Sequence, residues 1–466
     1  MMKGIFWSRF LLAAALCWGS GAGLALAAPP EAGPEGAVVH GSANAITVNG
    51  DAIFNHVSRL AASSRVAGTQ NEYNAVQYIK GEFEKYGYTV TLQSFTFPKF
   101  TAPSSIQLTI EGAHGLASEQ LAPQALQNTQ GGDVSGEVVD AKKGTPQDLK
   151  GLELKGKIAL IEAGQIDTNT KIANVADQGA IAVILYNSSS DASISDTQFS
   201  TLSLPTVSLS GKDAQALKQK TAANGAPRVR LSVQGVAAMA ATSYNVIATL
   251  GPNTTPTTSD LVTVGAHHDS VSAGPGANDD ASGVGVVLEV ARAVAGTQRD
   301  SEVRFLTFGA EEYGLYGSQA YANSLSSTDI GRFIGHFQLD MVGSKNSGTL
   351  GMYTVNGQKN VVTDLGATFA SRLSGVIPYG RFGRSDHVPF YQRGVATALY
   401  THSPAEPEYH TRYDTIDKIS KDKLANVATI VGNSVAEILS PMTPSFKRYK
   451  DFFTPVNYPF DPNPPV

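Results

Sequence analysis

The chain has 466 residues, a length that favours two or three folded domains over one. Hydrophobic residues make up 42% and charged residues only 16%, so we expect a large buried core rather than long disordered stretches. The net charge of −5 at pH 7 argues against a surface that attracts nucleic acid or an anionic membrane, and we expect neither among its partners.

The first residues are typical of a secretory signal. A positively charged start is followed by the apolar run FLLAAALCW, which is too short to span a bilayer comfortably, and by the small-residue pattern ALA at 25–27. We predict a signal peptide over 1–27, a mobile leader over 28–45 and a secreted protein, extracellular or periplasmic. The only cysteine, Cys17, lies in the signal, so any metal in the mature chain must be held by His, Asp or Glu.

Two amphipathic helices and a strand are predicted after the leader. DAIFNHVSRLAA has apolar residues at helical spacing with Asp51 as its N-cap, and NEYNAVQYIKGEFEKYG repeats this pattern up to Gly87, a natural C-cap residue. YTVTLQSFTF then alternates as a strand does. We assign residues 46–112 to the first part of a catalytic domain and 239–443 to its second part.

Residues 113–238 have a different pattern, with short β runs in GEVVDA, KIALIEAG, AIAVILYN and LPTVSLS. One helix, NTKIANVADQGA, is predicted between the second and third runs. The strand pattern resumes in SYNVIATL, from Ser243. These features predict a small β-rich domain inserted into the catalytic domain. We expect it to shape access for longer substrates and to contribute no metal ligand.

From Asp260 onward the chain alternates strands and helices. LVTVGAH, EVRFLTFGA, FIGHFQLDMVG, LGMYTV and ATALYTHS have strand patterns, whereas SGVGVVLEVARAVAG, GSQAYANSL and KLANVATIVGNSVAEIL have helical ones. The alternation predicts an α/β fold with a mixed, largely parallel sheet flanked by helices. We expect residues 444–466, rich in proline and aromatic residues, to form a C-terminal tail on the surface.

Histidines and carboxylates follow several of these predicted strands. Six of the nine histidines lie between residues 267 and 410. In open α/β sheets, sites form at the carboxyl ends of the strands, so we expect these side chains to converge. The residues that follow strands in this way are His267, His268, Asp269, Glu311, Glu312, Asp340, Tyr409 and His410.

Alternation along the first strand separates its terminal residues. His267 and Asp269 face one side, which predicts a metal-binding histidine and a carboxylate that fixes its tautomer. His268 faces the other side and is expected to pack in the interior. In the following loop, GPGANDDASG, we expect Asp279 to bind metal and Asp280 to be the N-cap of the next helix.

The ligand types favour zinc, and less often cobalt or manganese. Five ligands exceed the needs of one tetrahedral zinc, but they suit two ions about 3.5–4 Å apart with a bridging carboxylate. The predicted ligands are His267, Asp279, Glu312, Asp340 and His410. Glu311 is then available as a general base on a metal-bound water, and the hydroxyl of Tyr409 is suited to stabilise an oxyanion.

At these residues the sequence resembles the secreted two-zinc aminopeptidases of the bacterial leucine aminopeptidase type. GAHHDSV, GPGANDDASG, FGAEEYGLYGS, QLDMVGS, GRSDHVPF and EYHTRYDTIDKI follow the motifs of that family in order, and SRVAGTQNEYNAVQYIKGEFEKYGY resembles its N-terminal helices. GKIALIEAG, KIANVADQGAIAVILYN and LPTVSLS resemble a protease-associated domain. The resemblance covers roughly residues 50–440 and implies the zinc exopeptidase fold.

The resemblance also implies roles for single residues. It places His267 and Asp340 on one zinc, and Glu312 and His410 on the other. It implies that Asp279 bridges both ions and precedes a cis peptide bond. It further implies that Glu311 is the base, that Tyr409 is a transition-state donor, and that peptides with a free N-terminus are the substrates. The sequence leaves the oligomeric state open, and we expect a monomer.

Three other functions remain to be distinguished. A carboxypeptidase or dipeptidase on the same fold needs cations for a C-terminal carboxylate, and Arg381 and Arg384 are the candidates. A non-catalytic peptide-binding homologue typically lacks ligands or the base, which this chain retains. A one-zinc cyclase is disfavoured by the complete second ligand set. We also expect Tyr313 and Tyr316 to narrow the pocket for the first side chain of the substrate.

Overall fold

The structure, a computed structural model, describes residues 46–111, 118–126, 129–164, 168–188, 202–223, 227–373, 375–443, 457–463 and 465. The predicted signal peptide (1–27) and leader (28–45) lie outside these residues. None of the helices in the described ranges has the length and apolar character needed to cross a lipid bilayer.

The strands fall into two sheets. In chain order they are β1 (Thr89–Phe100), β2 (Ser105–Ile110), β3 (Glu119–Leu121), β4 (Gln124–Ala125), β5 (Gly132–Asp140), β6 (Ile158–Glu162), β7 (Ala182–Tyr186), β8 (Thr206–Leu209), β9 (Arg228–Gln234), β10 (Ala238–Leu250), β11 (Leu261–His267), β12 (Glu302–Phe308), β13 (Phe333–Leu339), β14 (Thr349–Thr354), β15 (Tyr379–Arg381), β16 (Thr397–Ser403) and β17 (Phe460–Asp461).

The helices flank these sheets. In chain order they are α1 (Gly50–Leu60), α2 (Gln70–Lys85), α3 (Thr168–Asp177), α4 (Gly211–Ala223), α5 (Ala281–Ala295), α6 (Tyr316–Ser324), α7 (Ser327–Arg332), α8 (Val361–Ser371), α9 (His387–Gln392) and α10 (Lys421–Leu439), with a 3-10 turn at Ile416–Lys418. The cap of α1 differs from the prediction, because the side chain of Asn49, and not that of Asp51, accepts the first backbone N–H groups.

The larger sheet has the order β1-β10-β12-β11-β13-β16-β14-β15-β17 in the described residues. The central strands β12, β11, β13 and β16 are parallel to their neighbours in this series, while β1, β10 and β14 introduce antiparallel pairs. The predicted fold class, a mixed and largely parallel sheet flanked by helices, is therefore confirmed. The strands β11 and β13 are buried throughout, and apolar residues predominate in both.

The second sheet has the order β3-β2-β9-β5-β6-β7-β8-β4. It contains β2, although this strand lies within the range 46–112 that the sequence pattern assigned to the catalytic domain. Helix α4 is not predicted from the sequence, because its segment GKDAQALKQKTAA contains few apolar residues. Buried residues of this sheet form hydrophobic clusters separate from the main one, so the region has its own core.

A long antiparallel ribbon leads from one sheet to the other. The strands β1 and β10 pair in unbroken register from Thr89 opposite Thr249 to Phe100 opposite Ala238. The chain therefore leaves the first sheet and returns to it along two adjacent strands.

Helices α1, α5 and α10 pack together on one face of the larger sheet. The helix α5 carries small residues where α1 crosses it. A Cβ atom at Gly285 would lie 2.9 Å from Val57 Cγ2 and 3.2 Å from Ile53 Cγ2, so glycine permits the close approach of the two helices. This packing holds the N-terminus of α5 close to the ends of β11 and β13.

The described part of the tail does not simply cover the surface. Strand β17 pairs in parallel with β15 and so extends the larger sheet. The side chains of Tyr458 and Pro465 are buried. Tyr458 and Pro465 therefore anchor this segment in the fold. Composition alone does not predict such anchors.

Candidate active site

The central strands bring the predicted ligands together. His267 is the last residue of β11, Glu311 and Glu312 follow β12, and Asp340 follows β13. Because β11 is the parallel neighbour of both β12 and β13, the carboxyl ends of these strands meet at one edge. The loop before α5 and the loop after β16 deliver Asp279 and His410 to the same edge. All of these side chains are buried or nearly so.

The two imidazoles lie on opposite sides of one carboxylate. His267 Nε2 is 3.1 Å from Asp279 Oδ1 and 3.6 Å from Asp340 Oδ1. His410 Nε2 is 3.0 Å from the other oxygen, Asp279 Oδ2, and 3.2 Å from Glu312 Oε2. Asp279 thus offers one oxygen to each of two histidine–carboxylate pairs.

Buried oxygen atoms in this cluster are suited to bind cations. Among the described residues, none donates a hydrogen bond to the buried Oδ1 of Asp340. His267, Asp279 and Glu312 also place one ligand atom each within a sphere that a metal ion can fill. A buried oxygen without a donor is costly unless a cation contacts it, so the residues present fit a metal centre.

Asp280 lies close to His267 and Asp340 and competes with Asp279 as a candidate ligand. Its oxygens are already engaged, because Oδ1 accepts from the backbone N–H groups of Gly283 at 2.8 Å and Met341 at 3.2 Å, and Oδ2 from that of His267 at 3.3 Å. Asp280 is the N-cap of α5, as predicted, and it ties the ends of β11 and β13 to that helix.

Asp269 connects the end of β11 to the turn after β12. It accepts backbone N–H bonds from Glu311 at 3.1 Å and from Glu312 at 3.3 Å, and its Oδ1 lies 3.5 Å from His267 Nδ1. The distance to His267 is long for a hydrogen bond, so the firmest bonds of Asp269 are those that it accepts from the two glutamates. His268 points away, as predicted, and its Nδ1 is 3.0 Å from Thr307 Oγ1.

Arg65 is 1% exposed and supports the site, although no sequence pattern predicts this role. Its guanidinium donates to the backbone carbonyl groups of His268 at 2.7 Å, Pro275 at 2.6 Å and Gly276 at 3.0 Å, and also to that of Leu60 at 3.1 Å. Arg65 therefore fixes both ends of the loop between His267 and Asp279. The motif SRVAGT contains it, but three of its four partners lie 203 to 211 residues away in the chain.

Asp414 is a second supporting residue that the sequence analysis did not single out. It accepts backbone N–H bonds from Asn278 at 2.7 Å and from Asp279 at 3.0 Å. The side chain of Asn278 in turn donates to Glu406 at 2.6 Å and accepts from the N–H of Gly343 at 2.8 Å. This network holds the loop around Asp279, where the peptide bond from Asp279 to Asp280 is cis, as the resemblance implied.

The ligand atoms border a cavity of about 30 Å³. It is lined by His267, Asp279, Glu311, Glu312, Asp340, Met341, Phe382, Arg384, Leu399, Thr401, Tyr409, His410 and Pro465. Tyr313 and Tyr316 are not among these lining residues and pack on Phe97 with ring centroids 5.1 and 6.0 Å away, so their effect on the first pocket stays a prediction.

Comparison with known proteins identifies the family of the chain. The model of peptidase family M28 matches residues 245–435, and that of the PA domain matches residues 133–217. The aminopeptidase YwaD of Bacillus subtilis is 32% identical over 399 residues, which cover 82% of this chain and 84% of that protein.

Two solved structures extend the match. The aminopeptidase from Aneurinibacillus sp. strain AM-1 has a TM-score of 0.77 and 44% identity, over 89% of this chain and 98% of that one. The zinc aminopeptidase BSAP from Bacillus subtilis has a TM-score of 0.66 and 30% identity, over 86% of this chain and 97% of that one. The chain belongs to peptidase family M28. The predicted family, the presence of a PA domain and the enzyme class, a zinc-dependent hydrolase, are confirmed.

The buried charges of this M28 site perturb one another strongly. Burial raises the pKa of Glu312 to about 7, and the charge of Asp279 adds to the rise. Burial acts to lower the pKa of His410, but Glu312 and Asp279 outweigh it and raise that pKa to about 10. Burial also acts to lower the pKa of His267, yet Glu311 and the neighbouring aspartates raise it well above its usual value. Without metal, the cluster therefore retains protons at neutral pH.

Zinc binding should release these protons. Raised pKa values keep the histidines charged until high pH, and a histidine must lose its proton to bind metal, so zinc affinity should strengthen as pH rises from about 7, the pKa of Glu312, to about 10, the pKa of His410. Calorimetric titration of zinc into metal-free protein, in buffers with different ionisation enthalpies, measures the number of protons released. A His56→Gln variant, altered outside the site, should release the same number. Zinc binding without any release of protons would contradict the prediction.

Removal of Arg65 should destabilise the protein. An Arg65→Met variant leaves four carbonyl groups without their donor and buried acids without a nearby cation, and we expect the free energy of unfolding to fall by about 3 kcal/mol or more. Denaturant unfolding of the metal-free protein measures the change. The matched control, Arg59→Met on the exposed side of α1, should cost about 0.5 kcal/mol or less. Equal losses in the two variants would exclude the role given to Arg65.

Proposed function

We propose that the protein is a secreted aminopeptidase that binds two zinc ions and hydrolyses the N-terminal peptide bond of peptides. The observation that carries the proposal is the position of Asp279, with one oxygen towards each histidine–carboxylate pair. His267 and Asp340 would hold one ion together with Asp279, and Glu312 and His410 would hold the other. When bound, zinc supplies a Lewis acid and lowers the pKa of water.

Glu311 is proposed as the general base. Its carboxylate borders the cavity, and its backbone is fixed by Asp269. Burial raises the pKa of Glu311, and neighbouring acids raise it further. A raised pKa suits a carboxylate that must accept a proton and later return it. In the proposed reaction Glu311 accepts a proton from the attacking water and transfers it to the leaving amine.

Tyr409 is proposed to stabilise the oxyanion that forms at the scissile carbonyl. Its ring stacks on that of His410 with centroids 3.7 Å apart, which fixes its position at the cavity. Burial and four neighbouring carboxylates raise its pKa well above the usual value, so its hydroxyl stays protonated. A protonated hydroxyl can donate the hydrogen bond that the developing negative charge needs.

The charge around the cavity favours a free α-amine in the substrate. Glu311 and Asp340 both line it, and acidic groups attract an ammonium and repel a carboxylate. The YwaD, Aneurinibacillus and BSAP proteins are named as aminopeptidases, which supports the same preference for a free α-amine.

A carboxypeptidase remains the second candidate, because one cationic side chain lines the cavity. Arg384 is that residue, whereas Arg381 lies exposed on β15. Arginine often binds a carboxylate through two parallel hydrogen bonds. In a carboxypeptidase Arg384 would bind the C-terminal carboxylate of the substrate in this way, so its role distinguishes the two activities. The non-catalytic alternative is disfavoured because the proposed base and all five proposed ligands are retained.

The remaining parts of the chain are assigned to the same enzyme. We propose that the inserted domain begins before β2, near residue 101, and ends near 237, and that it shapes access for longer peptides. Its matched PA region, residues 133–217, contains none of the proposed ligands. The signal pattern over residues 1–27 supports export, and we propose a monomer.

Substitution of the proposed base should abolish most turnover and leave zinc in place. Glu311→Gln keeps the shape of the side chain but removes its basicity, and kcat should fall about a hundredfold or more. Zinc content, measured by elemental analysis, should stay at two ions per chain. The exposed control Glu153→Gln should retain full activity. If Glu311→Gln lost zinc while Glu312→Gln kept it, the roles of the two glutamates would be reversed.

Substrates with blocked termini distinguish the two candidate activities. An aminoacyl nitroanilide with a free amine should be cleaved, and its N-acetylated form should not, because acetylation removes the charge that the acids bind. Amidation of a peptide's C-terminus should change the rate little. Hydrolysis of the acetylated substrate, or a strict need for a free carboxylate, would favour the carboxypeptidase and make Arg384 the next residue to substitute.

A further inference from the structure

The cavity at the ligands is small for a peptidase. Its volume of about 30 Å³ leaves room for roughly two water molecules, whereas ligand pockets usually measure about 300–1,000 Å³. Another cavity in the described residues, beside Tyr313, measures about 320 Å³. The residues that line this cavity therefore leave little space at the proposed catalytic groups.

One of the enclosing residues comes from a distant part of the chain. Pro465 is buried and lines the cavity together with the apolar side chains of Met341, Phe382 and Leu399. Its carbonyl oxygen accepts a hydrogen bond from the backbone N–H of Ala405 at 3.2 Å. We refer to residues 457–463 and 465, which end in this contact, as the tail segment.

The tail segment is anchored well before it reaches the cavity. The hydroxyl of Tyr458 donates to Asp364 Oδ1 at 2.6 Å and lies 2.8 Å from Thr363 Oγ1, and Lys359 Nζ lies 3.8 Å from the centre of its ring. Strand β17 then pairs with the edge of the larger sheet, where Asp461 accepts a hydrogen bond from the Tyr353 hydroxyl at 3.2 Å. These anchors direct the following residues towards the cavity and do not involve the proposed ligands.

The first side chain of a bound substrate has a limited choice of direction. If Glu311 and Asp340 hold the free amine and the scissile carbonyl faces Tyr409, these polar groups of the lining are occupied, which leaves the apolar part of the wall for the side chain. That part is formed by Met341, Phe382, Leu399 and Pro465. Each methylene that fails to fit a closed apolar pocket reduces kcat/KM by about tenfold or more.

We propose that the tail segment occupies the space that a large first side chain needs, and so restricts the enzyme to peptides with a small first residue. This inference rests on the proposed function. Under this proposal glycine or alanine needs the least room beside Pro465, whereas leucine or phenylalanine requires that the tail segment be absent or displaced.

The test compares three substrates on the zinc-loaded enzyme with and without the tail segment. The full chain and a variant that ends at residue 456 are assayed with alanyl, leucyl and phenylalanyl nitroanilides. The ratio of kcat/KM for leucine to that for alanine should rise about tenfold or more after truncation, because the wall at Pro465 is removed. The control Asn463→Ala, altered at an exposed position of the same segment, should leave the ratio unchanged.

A point substitution covers the case in which truncation impairs folding. Pro465→Gly keeps the anchors at Tyr458 and β17 and removes only the ring, so the same ratio should rise by a smaller factor. An unchanged ratio in Pro465→Gly and in any folded truncated variant would overturn the inference, as would an equal rise for all three substrates. Failure of every form to cleave any free-amine substrate would instead overturn the proposed function, and the inference with it.

Discussion

The structure depends on the burial of several carboxylates within a few ångströms of one another. Asp279, Glu312 and Asp340 lie among the ends of β11, β12 and β13, where water cannot screen their repulsion. Such a cluster is stable only if positive charge and N–H donors surround it. The guanidinium of Arg65 supplies positive charge, together with either the protonated histidines or, once these have lost their protons, the proposed zinc ions. The backbone of the surrounding loops supplies the donors.

The acids of the site differ in the partners of their oxygen atoms. Asp269, Asp280 and Asp414 accept hydrogen bonds from backbone N–H groups and so join the loops to the strands. Asp279 and Asp340 direct oxygens towards imidazole nitrogens. The same residue type therefore holds the frame at some positions and is available to a cation at others. Neutralising an acid of the frame would displace the ligands without removing one of them.

Much of this organisation was predictable from sequence because it follows from local periodicity. The central strands, the helix after Asp280 and the residues at the strand ends all have local patterns, and the chemistry of a strand end follows from its terminal residues. Arg65, the sheet that β2 joins and the position of Pro465 depend on contacts between residues far apart in the chain. Local sequence does not encode such contacts, and the polar sequence of α4 has too little apolar periodicity to predict a helix.

The ribbon of β1 and β10 has a consequence for the way in which the second sheet is attached. Phe100 and Ala238 face each other across it as Cα partners, at the distance of a β-sheet pair, about 5 Å. A hairpin turn of two residues is enough to close such a gap. A two-residue turn in place of residues 101–237 would therefore leave the register of β1 and β10 unchanged. The second sheet is thus attached to the larger sheet without any break in its strand pairing.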